Sequence, residues 1–104
     1  MYKDELLKIL YDSDSMELHP IEVNILAVIA YHSEAQDVPI PISVMKIANC
    51  SKLSTSTILR HMSQLIKKRF LIKTKEHTQT LPAQYLINEE RLLGIRAHYK
   101  YKEP

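Results

Sequence analysis

The residue types best suited to chemistry lie in one stretch, Ser54-Thr-Ser-Thr-Ile-Leu-Arg-His-Met-Ser-Gln-Leu-Ile-Lys-Lys-Arg69. At roughly 100° of turn per residue, Ile58, Met62, Leu65 and the stem of Arg69 share one stripe of a helix. Ser56, Arg60, Ser63, Gln64 and Lys67 share the opposite stripe. That polar stripe holds hydroxyls, an amide and cations, but no acid. A helix face kept only for solubility mixes signs, because Glu–Lys pairs four residues apart support it. Donors without carboxylates suit a polyanion with readable edges: Arg bonds guanine, Gln bonds adenine, and Ser, Thr and Lys hold phosphates. The chemistry expected is recognition in the major groove of duplex DNA.

Within this stretch Arg60 is central, flanked along the axis by Ser56 and Lys67. Gln64 fits an adenine contact and a solvated amide equally well. Lys67 points with Arg60, whereas Lys68 points sideways. Both sit where the helix dipole favours cations whatever the function. Ser54 is placed to cap the helix, and Thr55 and Thr57 at the same end can hold a phosphate. Leu59 flanks the polar face, where it packs against the following hairpin or meets a thymine methyl. Lys73 and Lys75 alternate on one face of the next strand, positioned to reach backbone phosphates or to defend an exposed edge.

Other chemistry finds no constellation. His19, His32, His61, His77 and His98 lack partners at ligand spacing, so no metal or other cofactor is expected. His61 borders the apolar stripe and reads as a partly buried packing residue. Cys50 reads as a packing residue too. No nucleophile with its base, no carboxylate pair and no glycine-rich phosphate loop can be assembled. The single glycine, Gly94, falls inside a helix. The chain is expected to bind rather than catalyse.

The elements that must position this face follow from periodicity and punctuation. Residues 3–11 form a short helix with Leu6, Leu7 and Leu10 on one side, ended by the polar turn 12–15. A second helix begins at His19-Pro20, with Pro in the first turn and Glu22 at the positive end of the dipole. Its Ile21, Ile25, Leu26, Val28 and Ile29 cover most of its circumference, which predicts the most buried element. It fades over 31–37. The proline-rich segment 38–42 suits a short edge strand. Ser43 caps a helix over 44–50 with Val44, Ile47 and Ala48 inward. A turn at 51–53 leads to the polar-faced helix, which runs to residue 69. Periodicity then changes from helical to alternating over 70–75. After a polar tip at 76–80, a strand over 83–87 points Tyr85 and Ile87 to one side. Asn88 caps a last helix over 89–101 with Leu92, Ile95 and Tyr99 on one seam.

This order, helix, strand, helix, turn, helix, hairpin, is that of a winged helix-turn-helix: mainly α with a small β-hairpin and extra N- and C-terminal helices. The segment from Leu18 to Asn88, about two thirds of the chain, resembles the MarR-like winged-helix DNA-binding proteins. Their recognition helix carries Ser-x-Ser-Thr-(Val/Ile)-x-Arg-x-apolar-x-x-Leu. Here stand Ser54-Thr-Ser56-Thr57-Ile58-Leu-Arg60-His-Met62-Ser-Gln-Leu65. Lys46-Ile47-Ala48 matches the preceding helix, Leu71-Ile-Lys-Thr-Lys75 the basic wing strand, and Tyr85-Leu-Ile87 the closing strand. The resemblance implies DNA contacts from Ser54, Thr55, Ser56, Thr57, Arg60, Ser63, Gln64, Lys67, Lys73 and Lys75. Two departures stand out. Lys52 occupies a turn where the family often has Gly, so the turn is looser or a non-glycine residue is strained. The wing tip, His77-Thr-Gln-Thr80, has neither glycine nor arginine, which argues against deep minor-groove insertion.

Length and charge set the frame. The 104 residues suit one domain: an N-terminal helix over 1–17, a winged-helix core over 18–88, and a C-terminal helix over 89–104. No apolar run approaches the roughly 20 residues of a membrane span. The first residues lack the plan of a signal peptide, and one cysteine fits a reducing cytoplasm. Residues 1–22 carry six acids against two lysines, and residues 52–76 carry seven cations against one acid. The basic block coincides with the polar helix face.

These readings lead to a sequence-specific double-stranded DNA-binding transcriptional regulator, a repressor. Two other readings stay open: a plasmid or phage replication or partition accessory protein, and a winged helix serving only as a protein–protein adaptor. A lone winged helix reads few base pairs, so pairing over two half-sites is expected. Leu6, Leu7, Leu10, Leu92, Ile95 and Tyr99 find no room in a core of about 70 residues. They would form a homodimer seam. Whether a small molecule controls binding is open, and the chain length leaves little room for a large pocket.

Overall fold

The computed structural model describes residue 7 and residues 18–35 and 37–92. Among the described residues, helices and a small sheet enclose one apolar core. Helix α1 spans Pro20–Tyr31, with the proline in its first turn as expected. Its cap is His19, whose Nδ1 accepts from the Ile21 N–H at 3.1 Å. The Glu22 carboxylate in turn accepts from the His19 N–H at 3.4 Å, giving a reciprocal capping box. Ile25, Leu26 and Ile29 are fully buried, so α1 is the central element.

Strand β1 is two residues, Ile40–Pro41, at one edge of the sheet, where a proline displaces no ladder bond. Helix α2, Val44–Ser51, is capped by Ser43, whose Oγ accepts from the Lys46 N–H at 3.0 Å. Ile47 and Ala48 take its inner face. Cys50, read from sequence as a packing residue, is instead exposed, one of the last residues before the chain reverses. That reversal places Lys52 at φ 57°, in the left-handed region. The Leu53 N–H then bonds back to Ala48 O at 3.1 Å. The turn is therefore tight, and the non-glycine residue carries the strain.

Helix α3 spans Thr55–Lys67. Strands β2, Leu71–Lys75, and β3, Gln84–Ile87, pair antiparallel as the wing. β3 also pairs with β1, so the expected hairpin is the larger part of a three-stranded sheet of order β1-β3-β2. Tyr85 and Ile87 alternate inward as predicted. Phe70, Leu65, Ile58 and Ile47 meet α1 in the core, all at 0% exposure. Each such side chain contributes roughly 1.5–3 kcal/mol of burial.

The core does not close at Asn88. Leu92, expected on an outer seam, is 1% exposed and packs in the core of the single chain. Leu7 is helical and packs half-buried against the same core. Neither lacks a home: both belong to the core of the single chain. The expectations for Leu6, Leu10, Gly94, Ile95, His98 and Tyr99 fall outside the described residues. Among the described residues no helix is long and apolar enough to cross a membrane.

Candidate nucleic-acid interface

Helix α3 presents the face anticipated for it. Ile58, Met62 and Leu65 are buried, while Ser56, Arg60, Ser63, Gln64 and Lys67 are all exposed. Its amino end is closed by Ser54, whose Oγ accepts from the Thr57 N–H at 3.3 Å. The same oxygen lies 2.9 Å from the Thr57 hydroxyl and 3.4 Å from that of Ser56. Ser54 and Thr57 are therefore engaged in the cap, whereas Thr55 is exposed at the positive end of the helix.

The carboxyl end differs from the sequence expectation. The helix stops at Lys67 rather than residue 69, and Arg69 adopts φ 67°. The Arg69 N–H bonds Ile66 O at 3.1 Å, and the Phe70 N–H bonds Leu65 O at 3.0 Å, the double bond pattern of a left-handed helix stop. The reversal leads directly into Phe70, which is fully buried in the same core as Leu65. Arg69 leaves the apolar stripe as a result and is exposed.

The side of α3 turned toward α1 holds a polar cluster that sequence reasoning missed. Glu22, 3% exposed, accepts from His61 Nδ1 at 3.0 Å and from Lys68 Nζ at 3.1 Å. The His19 ring lies against the His61 ring, centroids 4.8 Å apart. Burial, the largest single influence, opposes ionisation of Glu22. The bonds from His61, Lys68 and the His19 N–H, with the nearby Lys68 charge, outweigh it and hold the carboxyl below the usual value of 4.5. Lys68 thus faces an acid, while Lys67 stays with Arg60. One signal was readable: Glu22 lies three, four and seven residues before Ile25, Leu26 and Ile29, on their buried stripe. A carboxylate there needs a partner.

In the wing, Lys73 pairs with Tyr85, but Lys75 pairs with Gln84, so the register slips by one between them. Tyr85 and Gln84 are consecutive and face opposite sides of the sheet. The two lysines therefore do not share a face, contrary to the simple alternation; a bulge at Thr74 separates them. Lys73 Nζ bonds Glu76 at 2.9 Å, which raises its pKa. Burial raises that of Tyr85, with Lys73 opposing and Glu76 adding. Lys75 is exposed. The tip is shaped without glycine: the Thr78 hydroxyl accepts from the Leu81 N–H at 3.1 Å, and the Thr78 N–H bonds Leu81 O at 2.9 Å.

Between α3 and the wing runs an open groove of about 860 Å³, larger than the chain length suggested. Leu59, 52% exposed, and Ile66, 38% exposed, line it from α3, with Leu81 and Pro82 across. Leu59 thus faces the wing without being covered by it.

No protein-family model matches the sequence, and no curated protein resembles it recognisably in sequence. Solved structures do resemble the fold. One is a possible transcriptional regulator from Methanosarcina mazei, with a TM-score of 0.57 at 15% identity over 96% of this chain and 80% of that one. Another is a protein of the thermoacidophilic archaeon Sulfolobus tokodaii, with a TM-score of 0.51 at 19% identity over 95% of this chain and 91% of that one. At these identities the likeness is one of fold alone, a small mainly helical chain with a three-stranded antiparallel sheet.

Proposed function

We propose that the chain is a sequence-specific double-stranded DNA-binding transcriptional regulator of MarR-like type, acting as a repressor and by binding alone. The exposed face of α3 carries this reading. It offers Arg60, Gln64, Ser56, Ser63 and Lys67 without an acid, while the buried Glu22 behind the helix engages Lys68 and leaves the front cationic. Helix α3 enters the major groove, with Arg60 and Gln64 toward base edges. Thr55, at the helix amino end, meets a phosphate. The wing lies along the backbone through Lys75 and, more weakly, through Lys73, whose charge Glu76 offsets. The fold likeness to a possible transcriptional regulator supports the same reading. Two copies over two half-sites would supply the specificity that one helix lacks.

Selection of duplexes from a random pool, followed by titration at several salt concentrations, tests this. Binding should be salt-dependent and sequence-selective. Arg60→Ala should lower affinity for the selected duplex roughly tenfold or more, since one good bidentate base contact is worth about 1–3 kcal/mol. Equal affinity of the two proteins would sink the assignment of this face. Absence of any salt-dependent duplex binding would favour a protein adaptor.

A further inference from the structure

We propose that Asn88 and Arg91 are positioning residues that lock the carboxyl end of the reading helix to the start of the last helix; this rests on the reading of α3 as the DNA face. The final carbonyls of a helix, and those just beyond it, lack intrahelical partners. After α3 three consecutive carbonyls are claimed by one four-residue segment. Arg91 Nε donates to Lys68 O at 3.3 Å, Asn88 Nδ2 donates to Arg69 O at 2.8 Å, and the Asn88 N–H donates to Phe70 O at 2.9 Å. The Arg91 guanidinium also lies 4.9 Å from the centre of the Phe70 ring, which is itself fully buried. Asn88 faces two ways at once: its Oδ1 accepts from the Arg91 N–H at 3.2 Å and caps the last helix. The amide orientation is fixed by these partners, one of which can only donate and the other only accept. On the opposite side the Lys68 ammonium is held by Glu22. The reading helix therefore cannot rotate about its carboxyl end without shifting segment 88–91. Its pose is set by the last helix, and base contacts made at its front depend on that pose.

Asn88→Asp separates the two roles of Asn88. The aspartate still caps the last helix, but loses the donor to Arg69 O and sets a negative oxygen against that carbonyl. The unmodified protein and this variant are titrated against a duplex selected by the unmodified protein and against a random-sequence duplex. The ratio of the two affinities does not depend on the folded fraction, so a merely structural role leaves it unmoved. The expected result is a ratio reduced about tenfold, the discrimination of one base contact, with an unchanged salt slope. An unchanged ratio would overturn the proposal. If the unmodified protein selects no duplex, the DNA reading fails instead. Amide hydrogen exchange then decides the latch alone. Faster exchange at Lys68, Arg69 and Phe70, with Ile29 and Ala30 unaffected, upholds it, and equal exchange at all five refutes it.

Discussion

Replacing Glu22 by Gln keeps the side chain's volume while removing a charge from a site 3% exposed to water. Three donors converge there: His61 Nδ1 at 3.0 Å, Lys68 Nζ at 3.1 Å and the His19 N–H at 3.4 Å. A hydrogen bond to a charged group contributes about 1.5–3 kcal/mol. The longest of the three is weak, and the Lys68 side chain, 35% exposed, regains water when released. The amide oxygen of glutamine can retain one of the two short bonds. The net loss should therefore be about 2 kcal/mol, well above the roughly 0.5 kcal/mol of an ordinary surface change. For a domain of this size that lowers Tm by about 8–16 °C. Urea denaturation near neutral pH reads it as a lower midpoint at unchanged slope. The pH dependence has a definite sign. Glu22 holds its proton less tightly when folded than at its ordinary 4.5. Its contribution is thus complete above that value and disappears as the pH falls through the lower folded pKa. The gap between the two proteins must close in acid. A gap that persists unchanged near pH 3, or none near pH 7, would refute the bridging role of the carboxylate.

Other expectations follow from the same geometry. Lys75→Ala should lower the salt slope of DNA binding by about one unit, and Lys73→Ala by clearly less because Glu76 already offsets that charge; equal slopes would show that the ion pair opens on binding. Lys52→Gly should raise stability by about 0.5–1 kcal/mol, since glycine adopts the left-handed conformation without a Cβ clash, and a lower urea midpoint would refute the strain. A homodimer held by the last helix should become a soluble monomer in the Ile95→Glu, Tyr99→Glu double variant, measured by light scattering. Leu92→Glu should instead unfold the chain, because Leu92 is a core residue of one protomer.

Much of the fold was legible because its signals are local. Pro20, Ser43 and Ser54 mark helix starts through caps and first-turn geometry. The alternation through Tyr85 and Ile87 marks the inner face of a strand. The outward face of α3 was equally plain, since helical spacing alone separates Arg60 and Gln64 from Ile58 and Leu65. What escaped was decided at a distance. Lys68 and Arg69 have ordinary helix propensity, yet the helix ends before them, at a reversal that leads into the buried Phe70. Glu22 lies 39 and 46 residues from His61 and Lys68, so no local pattern couples them. The slip at Thr74 is set by how β2 meets β3. Leu92 was misplaced because the core was drawn to end with the wing, whereas the chain continues inward for another turn.

The two left-handed residues that bracket α3, Lys52 and Arg69, have a kinetic consequence. Glycine would fit both positions with less strain, yet it would take a cation from each end of the reading helix. As built, the backbone reversal itself fixes where those charges emanate, before any duplex is near. Charges held at fixed points beside a binding face bias diffusional approach and raise the encounter rate at low ionic strength. If the chain has the proposed function, a reversal that is slightly unfavourable for folding would thus quicken its search for a duplex. A variant evolved for heat resistance alone would be expected to find its site more slowly even where it holds that site equally well.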